Sequence, residues 1–312
     1  MKFSFKIQQY QTDAVNAVVD VFKGQVRPAQ DTSYFFDPGR LVPVKTKKAK
    51  NSNGYNLFQQ ELDEQEAKQD IILGYANAPI KLDKVQLLEN IKLIQGNNNI
   101  TPSKELIEGQ GKCSLDIEME TGTGKTYVYI KTMFELNKRY GWSKYIIVVP
   151  SVAIREGVYK SLQTTQEHFA EEYGRKIRFF IYSSDNLPAV DTFASDSAIN
   201  VMIINMQAFN SGKNQRIIDK KLDTFRSRKP IDIIAKTNPI LIIDEPQSVE
   251  GKQTKESLKK FCPLFTLRYS ATHKEKYDMV YRLDAMDAYN QHLVKKIAAL
   301  GVTLQGRTAT TS

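Results

Sequence analysis

The feature that most constrains the fold is a glycine-containing loop between a strand-like and a helix-like run, in SLDIEMETGTGKTYVYIKTMF (residues 114–134). Gly122 and Gly124 let the backbone turn tightly, so that its N–H groups can surround phosphate oxygens. The helix N-terminus adds partial positive charge at the same point. Lys125 is expected to reach the β- and γ-phosphates, and the Thr126 hydroxyl to bind Mg²⁺. The pattern thus predicts an ATP and Mg²⁺ site whose nucleotide-binding residues are Thr121, Gly122, Thr123, Gly124, Lys125 and Thr126.

One position departs from the general phosphate-loop pattern. Met119 stands six residues before Lys125, where a glycine is usual. The tight part of the loop is nevertheless intact and lies in the required context between a strand and a helix. An accidental glycine-rich turn is therefore the weaker interpretation.

A second candidate site element is a pair of adjacent acids at the end of the run NPILIIDEPQSVEG (residues 238–251). Four apolar residues lead directly into Asp244 and Glu245, and an open α/β sheet binds its ligands at the carboxyl ends of its strands. Asp244 is predicted to hold Mg²⁺, and Glu245 to orient and activate the attacking water. Alone, two such acids would be an ordinary loop start. Paired with the phosphate loop, they complete a predicted catalytic set of Lys125, Asp244 and Glu245.

The pattern beyond Ser114 alternates short β-rich runs with amphipathic segments such as Lys125–Lys138 and Val152–Glu172. This alternation predicts an α/β fold with a mostly parallel sheet and helices on both faces. The predicted strands are Leu115–Met119, Tyr145–Val149, Ile177–Tyr182, Asn200–Asn205, Ile240–Asp244 and Phe265–Ser270.

Earlier residues are less regular. Apolar residues at helical spacing predict a helix that ends near Gly24. Residues 25–57 have the character of a long loop that contains the basic positions Lys45, Lys47, Lys48 and Lys50, and residues 57–94 are predicted to be helical with a break at Asn77–Pro79.

Composition restricts the possible partners and locations. The net charge is 44 − 35 = +9, which suits a polyanion such as nucleic acid, although a basic surface without that role accounts for it equally well. No apolar run approaches the ~18–20 residues of a membrane helix, and the N-terminus has no apolar signal region. Two cysteines and three histidines form no metal-ligand pattern. We therefore expect a cytoplasmic protein without a membrane partner.

Five motifs stand in an order shared by a known family: METGTGKTYVYIKTMFEL, IIVVPSVAIREGV, LIIDEPQSVEG, LRYSATH and YRLDAMDAYNQHLVKKI. With them the chain resembles the first motor domain of superfamily 2 helicases and translocases, and within that group the restriction subunit of type III restriction–modification enzymes. The resemblance implies a RecA-like P-loop NTPase domain. It divides the chain into an adenine-contacting N-terminal segment (1–24), a loop-rich and helical insertion (25–112), the motor domain (113–300) and a polar tail (301–312).

The same resemblance assigns further roles position by position. Gln11 falls where related motors use a glutamine to read the adenine edge. The expected DNA contacts, which would bind phosphate rather than read bases, are Pro150, Ser151, Arg155, Asn205 and Gln207. The segment that couples the nucleotide site to DNA movement corresponds to Gln247, Ser270, Ala271 and Thr272, and hydroxyls there are expected to hydrogen-bond to the loop 244–247.

By this resemblance the chain is the ATP-binding motor domain of a type III restriction endonuclease subunit. ATP hydrolysis would drive DNA translocation or switching before cleavage by a nuclease domain that this chain lacks. The implied partners are double-stranded DNA, the methyltransferase (Mod) subunit, and the C-terminal motor and nuclease domains of the same protein. Two alternatives remain open: a nearly inactive nucleotide- and DNA-binding fragment, and the motor of another superfamily 2 translocase or helicase, such as a type I restriction motor.

Overall fold

The computed structural model describes residues 5–28, 33–36, 73–107, 109–205, 218–220, 225, 228–248 and 251–294. The strands are β1 (Ser33–Phe36), β2 (Leu73–Ala76), β3 (Ser114–Met119), β4 (Lys144–Val149), β5 (Ile177–Ile181), β6 (Ile199–Asn205), β7 (Ile240–Asp244), β8 (Thr266–Ser270) and β9 (Asp278–Leu283). The helices are α1 (Gln9–Asp20), α2 (Lys84–Asn97), α3 (Lys125–Tyr140), α4 (Val152–Tyr173), α5 (Leu187–Ser195), α6 (Pro230–Lys236), α7 (Lys252–Lys259) and α8 (Ala285–Asn290).

Seven of these strands form one sheet in the order β5-β6-β4-β7-β8-β3-β9. Every neighbouring pair is parallel. Because successive strands run the same way, each must be reached by a crossover, and α3, α4 and α5 supply three of these crossovers. The predicted parallel α/β fold is confirmed, and the six strands predicted from the sequence are all present.

Successive side chains of a strand point to opposite faces of the sheet. Both faces of this sheet carry buried apolar side chains, and helices cover both. In β4, Tyr145, Ile147 and Val149 belong to the larger core with α1 to α4, whereas Ile146 and Val148 belong to the second core with α5, α6 and α7. All six residues of β4 are buried. This explains why the strand reads as a continuous apolar run in the sequence.

Strand β9 was not predicted. It lies at the edge of the sheet beside β3; four of its six residues are buried, whereas Met279 is partly exposed and Arg282 is exposed. A half-exposed edge strand carries polar residues on its open side, here Arg282. For this reason DMVYRL lacks the apolar run that identified the central strands.

The predicted helix over 57–94 is wrong in part. Leu73–Ala76 is strand β2, paired antiparallel with β1, and the helix begins only at Lys84, where the Asp83 side chain accepts a hydrogen bond from the backbone N–H of Gln86. Residues 57–72 lie outside the described residues, as do the four lysines of the basic run. Between β2 and α2, Asn77 bonds to the backbone at Lys144 and thereby ties this segment to the start of β4.

The carboxyl ends of the parallel strands meet at one edge of the sheet. β7, β8 and β3 are consecutive there, so the segments that follow Asp244, Ser270 and Met119 lie side by side. No helix in the part of the chain that the structure describes is both long and apolar enough to cross a membrane.

Candidate active site

The phosphate loop has the backbone geometry that its glycines predict. Gly122 and Gly124 have φ values of 84° and 89°, in the left-handed region that other residues adopt only at a cost. The Thr123 hydroxyl donates to the Glu120 carbonyl at 2.6 Å. α3 starts at Lys125, directly after Gly124. A methyl group placed on Gly122 would meet nothing within 4 Å, so this side of the loop is open to a ligand.

Helix α1 packs against the phosphate loop. Tyr10 Oη and Gln11 Nε2 both donate to the Thr123 carbonyl oxygen, at 2.9 and 3.1 Å. A methyl group on Gly124 would lie 2.6 Å from Gln11 Nε2, so glycine there allows the close approach. Gln11 thus lies beside the phosphate loop, and its predicted reading of the adenine edge stays a prediction.

Lys125 connects the phosphate loop to the acidic pair. Its ammonium lies 3.0 Å from Glu245 Oε1 and donates to the Met119 carbonyl oxygen at 3.3 Å. Two residues 120 positions apart in the sequence are therefore in direct contact. The pairing follows from the sheet order, which separates the ends of β3 and β7 by β8 alone.

Asp244 is buried at the end of β7, with 6% of its surface exposed. Burial, together with repulsion from Glu245, raises the pKa of Asp244 to about 6, although Lys125 and a hydrogen bond from Tyr129 oppose the shift. Tyr129 Oη lies 3.5 Å from Asp244 Oδ2 and also contacts Thr126. The two predicted Mg²⁺ ligands, Thr126 and Asp244, thus share one hydroxyl neighbour.

The Glu245 carboxylate is held in its ionised form. Burial favours the neutral acid, but hydrogen bonds from Gln247, Lys125 and Ser270 outweigh it and lower the pKa. Its backbone has a φ of 54°, and its N–H donates to the Tyr269 carbonyl at 2.9 Å. A left-handed, non-glycine residue stores strain of roughly 1–2 kcal/mol, and such residues are frequent at functional sites.

The predicted bond between the coupling segment and the acidic loop is present. Ser270 Oγ lies 3.0 Å from Glu245 Oε2, 3.0 Å from Gln247 Oε1 and 2.7 Å from the Thr272 carbonyl oxygen. Gln247 Nε2 donates to Glu245 Oε2 at 2.7 Å. Ala271 lies in the bend between Ser270 and Thr272. Two of the four predicted coupling residues, Gln247 and Ser270, therefore contact the carboxylate that is predicted to activate water.

Four of the five predicted DNA contacts lie at or after the ends of strands β4 and β6, at the same edge of the sheet. Pro150 and Ser151 follow β4, and Ser151 caps α4 by accepting from the Ile154 N–H at 3.3 Å. Arg155 pairs with the exposed Glu156 at 2.8 Å, and Asn205 is the buried last residue of β6. Gln207 lies outside the described residues. Contact with DNA stays a prediction for all five.

Three side chains at this site were not singled out from the sequence. Tyr129 is fully buried in the core, and its hydroxyl also contacts Asp244. Its position three residues after Thr126 on a helix signalled a shared face. Glu118 and His273 contact each other under the coupling segment. The sequence signal that could have identified Glu118 is the alternation of acids with apolar residues in the strand LDIEM.

A divalent cation fits these residues, although the described part of the chain contains no group of three or more His, Cys, Asp or Glu side chains that could hold a metal. Mg²⁺ bound with a nucleotide usually keeps water ligands and takes only one or two carboxylates plus phosphate oxygens. The buried Asp244 and the Thr126 hydroxyl match that requirement.

The fold and this site together define a P-loop NTPase domain with a RecA-like architecture. The family model "Type III restriction enzyme, res subunit" matches residues 4–275. The chain belongs to this family of res subunits of type III restriction enzymes.

The similarity to individual proteins supports the same family assignment. The chain is 38% identical over 241 residues to the EcoP15I Res subunit of Escherichia coli, a match that covers 71% of this chain and 25% of that protein. It is 35% identical over 266 residues to the EcoPI Res subunit of Escherichia phage P1, covering 78% of this chain and 27% of that protein. The chain therefore spans about a quarter of the length of these curated relatives.

Two solved structures resemble the fold more distantly. The SWI2/SNF2 ATPase core of Sulfolobus solfataricus in complex with dsDNA matches with a TM-score of 0.34 and 14% identity, over 64% of this chain and 33% of that one. The DUF1998 helicase MrfA bound to DNA matches with a TM-score of 0.35 and 18% identity, over 62% of this chain and 28% of that one. At these TM-scores, neither structure bears on the function.

Proposed function

We propose that this chain binds ATP with Mg²⁺ and, within a complete res subunit, couples ATP hydrolysis to translocation or switching on double-stranded DNA. The observation that carries the proposal is the 3.0 Å contact between Lys125 and Glu245. It brings a phosphate-loop lysine and a strand-end carboxylate to one point of the sheet edge, beside a loop open to a ligand.

Each site residue has a distinct proposed task. The loop 121–124 surrounds the phosphates with backbone N–H groups, and Lys125 leaves Glu245 to neutralise the β- and γ-phosphates. Thr126 and Asp244 hold Mg²⁺, which would polarise the phosphate oxygens. Glu245, ionised and released from Lys125, accepts a proton from the attacking water. Gln11 contacts the adenine edge from α1.

Ser270 provides the connection to DNA in this proposal. Its hydroxyl touches the Glu245 carboxylate, and the coupling segment continues through Ala271 and Thr272. The proposed DNA strand runs past Pro150, Ser151, Arg155, Asn205 and Gln207. Contacts of this kind bind the phosphate backbone and carry little sequence preference. Sequence recognition is proposed for the methyltransferase subunit, and DNA cleavage for a separate nuclease domain of the complete protein.

Nucleotide titration tests the core of the proposal. A fluorescent ATP analogue with Mg²⁺ is titrated into the wild-type chain and into Lys125→Ala, with circular dichroism as the check on folding. We expect the variant to bind at least about tenfold more weakly, because it loses a charge-assisted contact worth ~1.5–3 kcal/mol. Lys131→Ala on the same helix is the matched control, since Lys131 pairs with Glu172, away from the loop.

The outcomes separate the alternatives. Equal affinity for the wild type and Lys125→Ala would mean that the loop is not the nucleotide site. Binding without multiple-turnover hydrolysis would favour a binding module that depends on the rest of the subunit for activity. Lys125-dependent hydrolysis by the isolated chain would refute that alternative.

A further inference from the structure

The connection from β8 to β9, residues 271–277, crosses one face of β3. Because β3 lies between β8 and β9 and all three strands are parallel, this segment must return from the carboxyl edge of the sheet to the opposite edge. It passes over the side chains of Asp116 and Glu118, which share a face of β3. The Tyr277 N–H donates to Asp116 Oδ2 at 2.7 Å, which fixes the far end of the segment.

His273 lies between these two acids. Its side chain is fully buried, and its Nδ1 is 3.4 Å from Glu118 Oε1. Its Nε2 is 3.2 Å from the Arg268 carbonyl oxygen and 3.6 Å from Asp116 Oδ1. Asp116 is compensated by a buried ion pair with Arg268 at 2.9 Å. A buried charged cluster persists only when its members are paired, so these contacts hold the crossing segment in one conformation.

Glu118 is held from both sides. Arg282, on the edge strand β9, donates to Glu118 Oε2 at 3.1 Å, while the His273 backbone N–H donates to Glu118 Oε1 at 3.3 Å. Glu118 therefore anchors the residue that directly follows the coupling segment. Its position on β3 two residues before Glu120 also places this anchor immediately beneath the phosphate loop.

The anchor reaches the acidic pair through a short bend. His273 follows Thr272, whose carbonyl oxygen lies 2.7 Å from Ser270 Oγ. The same hydroxyl lies 3.0 Å from Glu245 Oε2. A shift of His273 away from Glu118 would therefore displace Thr272 and move the Ser270 hydroxyl off the Glu245 carboxylate.

We propose that Glu118 and His273 are positioning residues for ATP hydrolysis. Their contact fixes the bend 270–272, and thereby the Ser270 hydroxyl against Glu245, without touching the nucleotide. The inference rests on the proposed function, because it concerns the rate of the same reaction. The Nδ1 side of the ring performs this task, and the Nε2 side anchors the ring to β8.

Two substitutions at His273 separate these sides. The amide nitrogen of His273→Asn can take the position of Nδ1 and keep the contact with Glu118. The amide nitrogen of His273→Gln reaches the position of Nε2 instead and loses the side-chain contact with Glu118, while the backbone N–H of residue 273 can still donate to Glu118 in both variants. The assay is steady-state ATP hydrolysis by the complete res subunit with DNA present, alongside nucleotide affinity and the urea midpoint. Lys125→Ala is included as the test of the site itself.

We expect His273→Gln to lower kcat about tenfold, the equivalent of ~1.4 kcal/mol in the barrier, with KM and nucleotide affinity unchanged. His273→Asn should keep kcat within about twofold of the wild type, even if both variants lose similar stability. A purely structural role would lower the urea midpoint in both variants and leave kcat of the folded enzyme unchanged.

Other results overturn the inference in distinguishable ways. Two results would refute the positioning role alone. In the first, turnover depends on Lys125 but His273→Gln leaves it unchanged. In the second, both His273 variants lose kcat equally. Absence of Lys125-dependent turnover in the wild type refutes the proposed function and this inference together. If His273→Gln does not fold, Glu118→Gln replaces it in the experiment. Loss of the Glu118 charge should lower kcat and leave KM unchanged. A kcat equal to that of the wild type would refute the positioning role.

Discussion

Substitution of Gly124 by alanine tests how closely α1 is fitted to the phosphate loop. Gly124 has φ 89° and ψ 36°, and alanine in that region costs roughly 1–2 kcal/mol. The new methyl group would also lie 2.6 Å from Gln11 Nε2, which must move and break its 3.1 Å bond to the Thr123 carbonyl. A lost hydrogen bond adds ~0.5–1.5 kcal/mol, so the expected total is about 1.5–3.5 kcal/mol.

Gly122→Ala is the matched control for this substitution. Its φ of 84° imposes the same kind of backbone strain, but its methyl group meets nothing within 4 Å. We expect Gly122→Ala to lower the free energy of unfolding by only about 1–2 kcal/mol. Urea denaturation of the wild type and both variants measures the difference.

A double-mutant cycle with Gln11→Ala isolates the contact itself. Once the Gln11 amide is absent, Gly124→Ala should cost no more than Gly122→Ala, which gives a coupling energy of about 1 kcal/mol between positions 11 and 124. Additive effects, or equal losses for the two glycine variants in the wild-type background, would refute the proposed fit between α1 and the loop.

Three further substitutions test the acidic pair and the DNA path. Glu245→Gln in a complete res subunit should keep nucleotide binding and lose hydrolysis, because the proton acceptor is gone; retained hydrolysis would exclude that role. Burial and repulsion from Glu245 raise the pKa of Asp244 from its ordinary value of 3.8 to about 6 in the folded protein. Its ionisation therefore lowers the stability of the fold as pH rises from about 4 to 6, and the full cost is present above pH 6. Asp244→Asn should therefore stabilise the nucleotide-free protein at pH 8, by at most about 3 kcal/mol, and give no gain near pH 4. Urea midpoints at the two pH values measure this. An equal gain at both would contradict the raised pKa of Asp244. Arg155→Ala should weaken DNA binding and reduce the slope of log affinity against log salt concentration by about 1, as fluorescence anisotropy titrations would measure. Lys160→Ala, further along α4, is the control and should have a smaller effect. Indistinguishable effects of the two substitutions would remove Arg155 from the DNA path.

Much of the site could be predicted because its signals are local in the sequence. The phosphate loop is one continuous segment, and the tasks predicted for its glycines, lysine and threonine depend only on the strand and helix beside them. The run ILIID predicted a buried strand that ends in Asp244, because a strand buried on both faces must be apolar along its length. The alternation of such strands with amphipathic helices predicted a mostly parallel sheet, and the seven-stranded sheet is parallel throughout.

Other contacts arise only when distant segments are packed together. The edge strand β9 lacks an apolar run because one side of it is open, and the bond from Gln11 to the phosphate loop joins residues 112 positions apart. Glu118 and His273 are separated by 155 positions, and no local propensity relates a strand acid to a histidine so far along the chain. The sequence by itself determined the buried central strands and the amphipathic helices between them, and it predicted the chemistry at the strand ends, since those depend on neighbouring residues. The tertiary structure alone decided that Glu118 and His273 lie together beneath the bend 270–272, because that depends on the order of the strands and on which residues the connection 271–277 passes over.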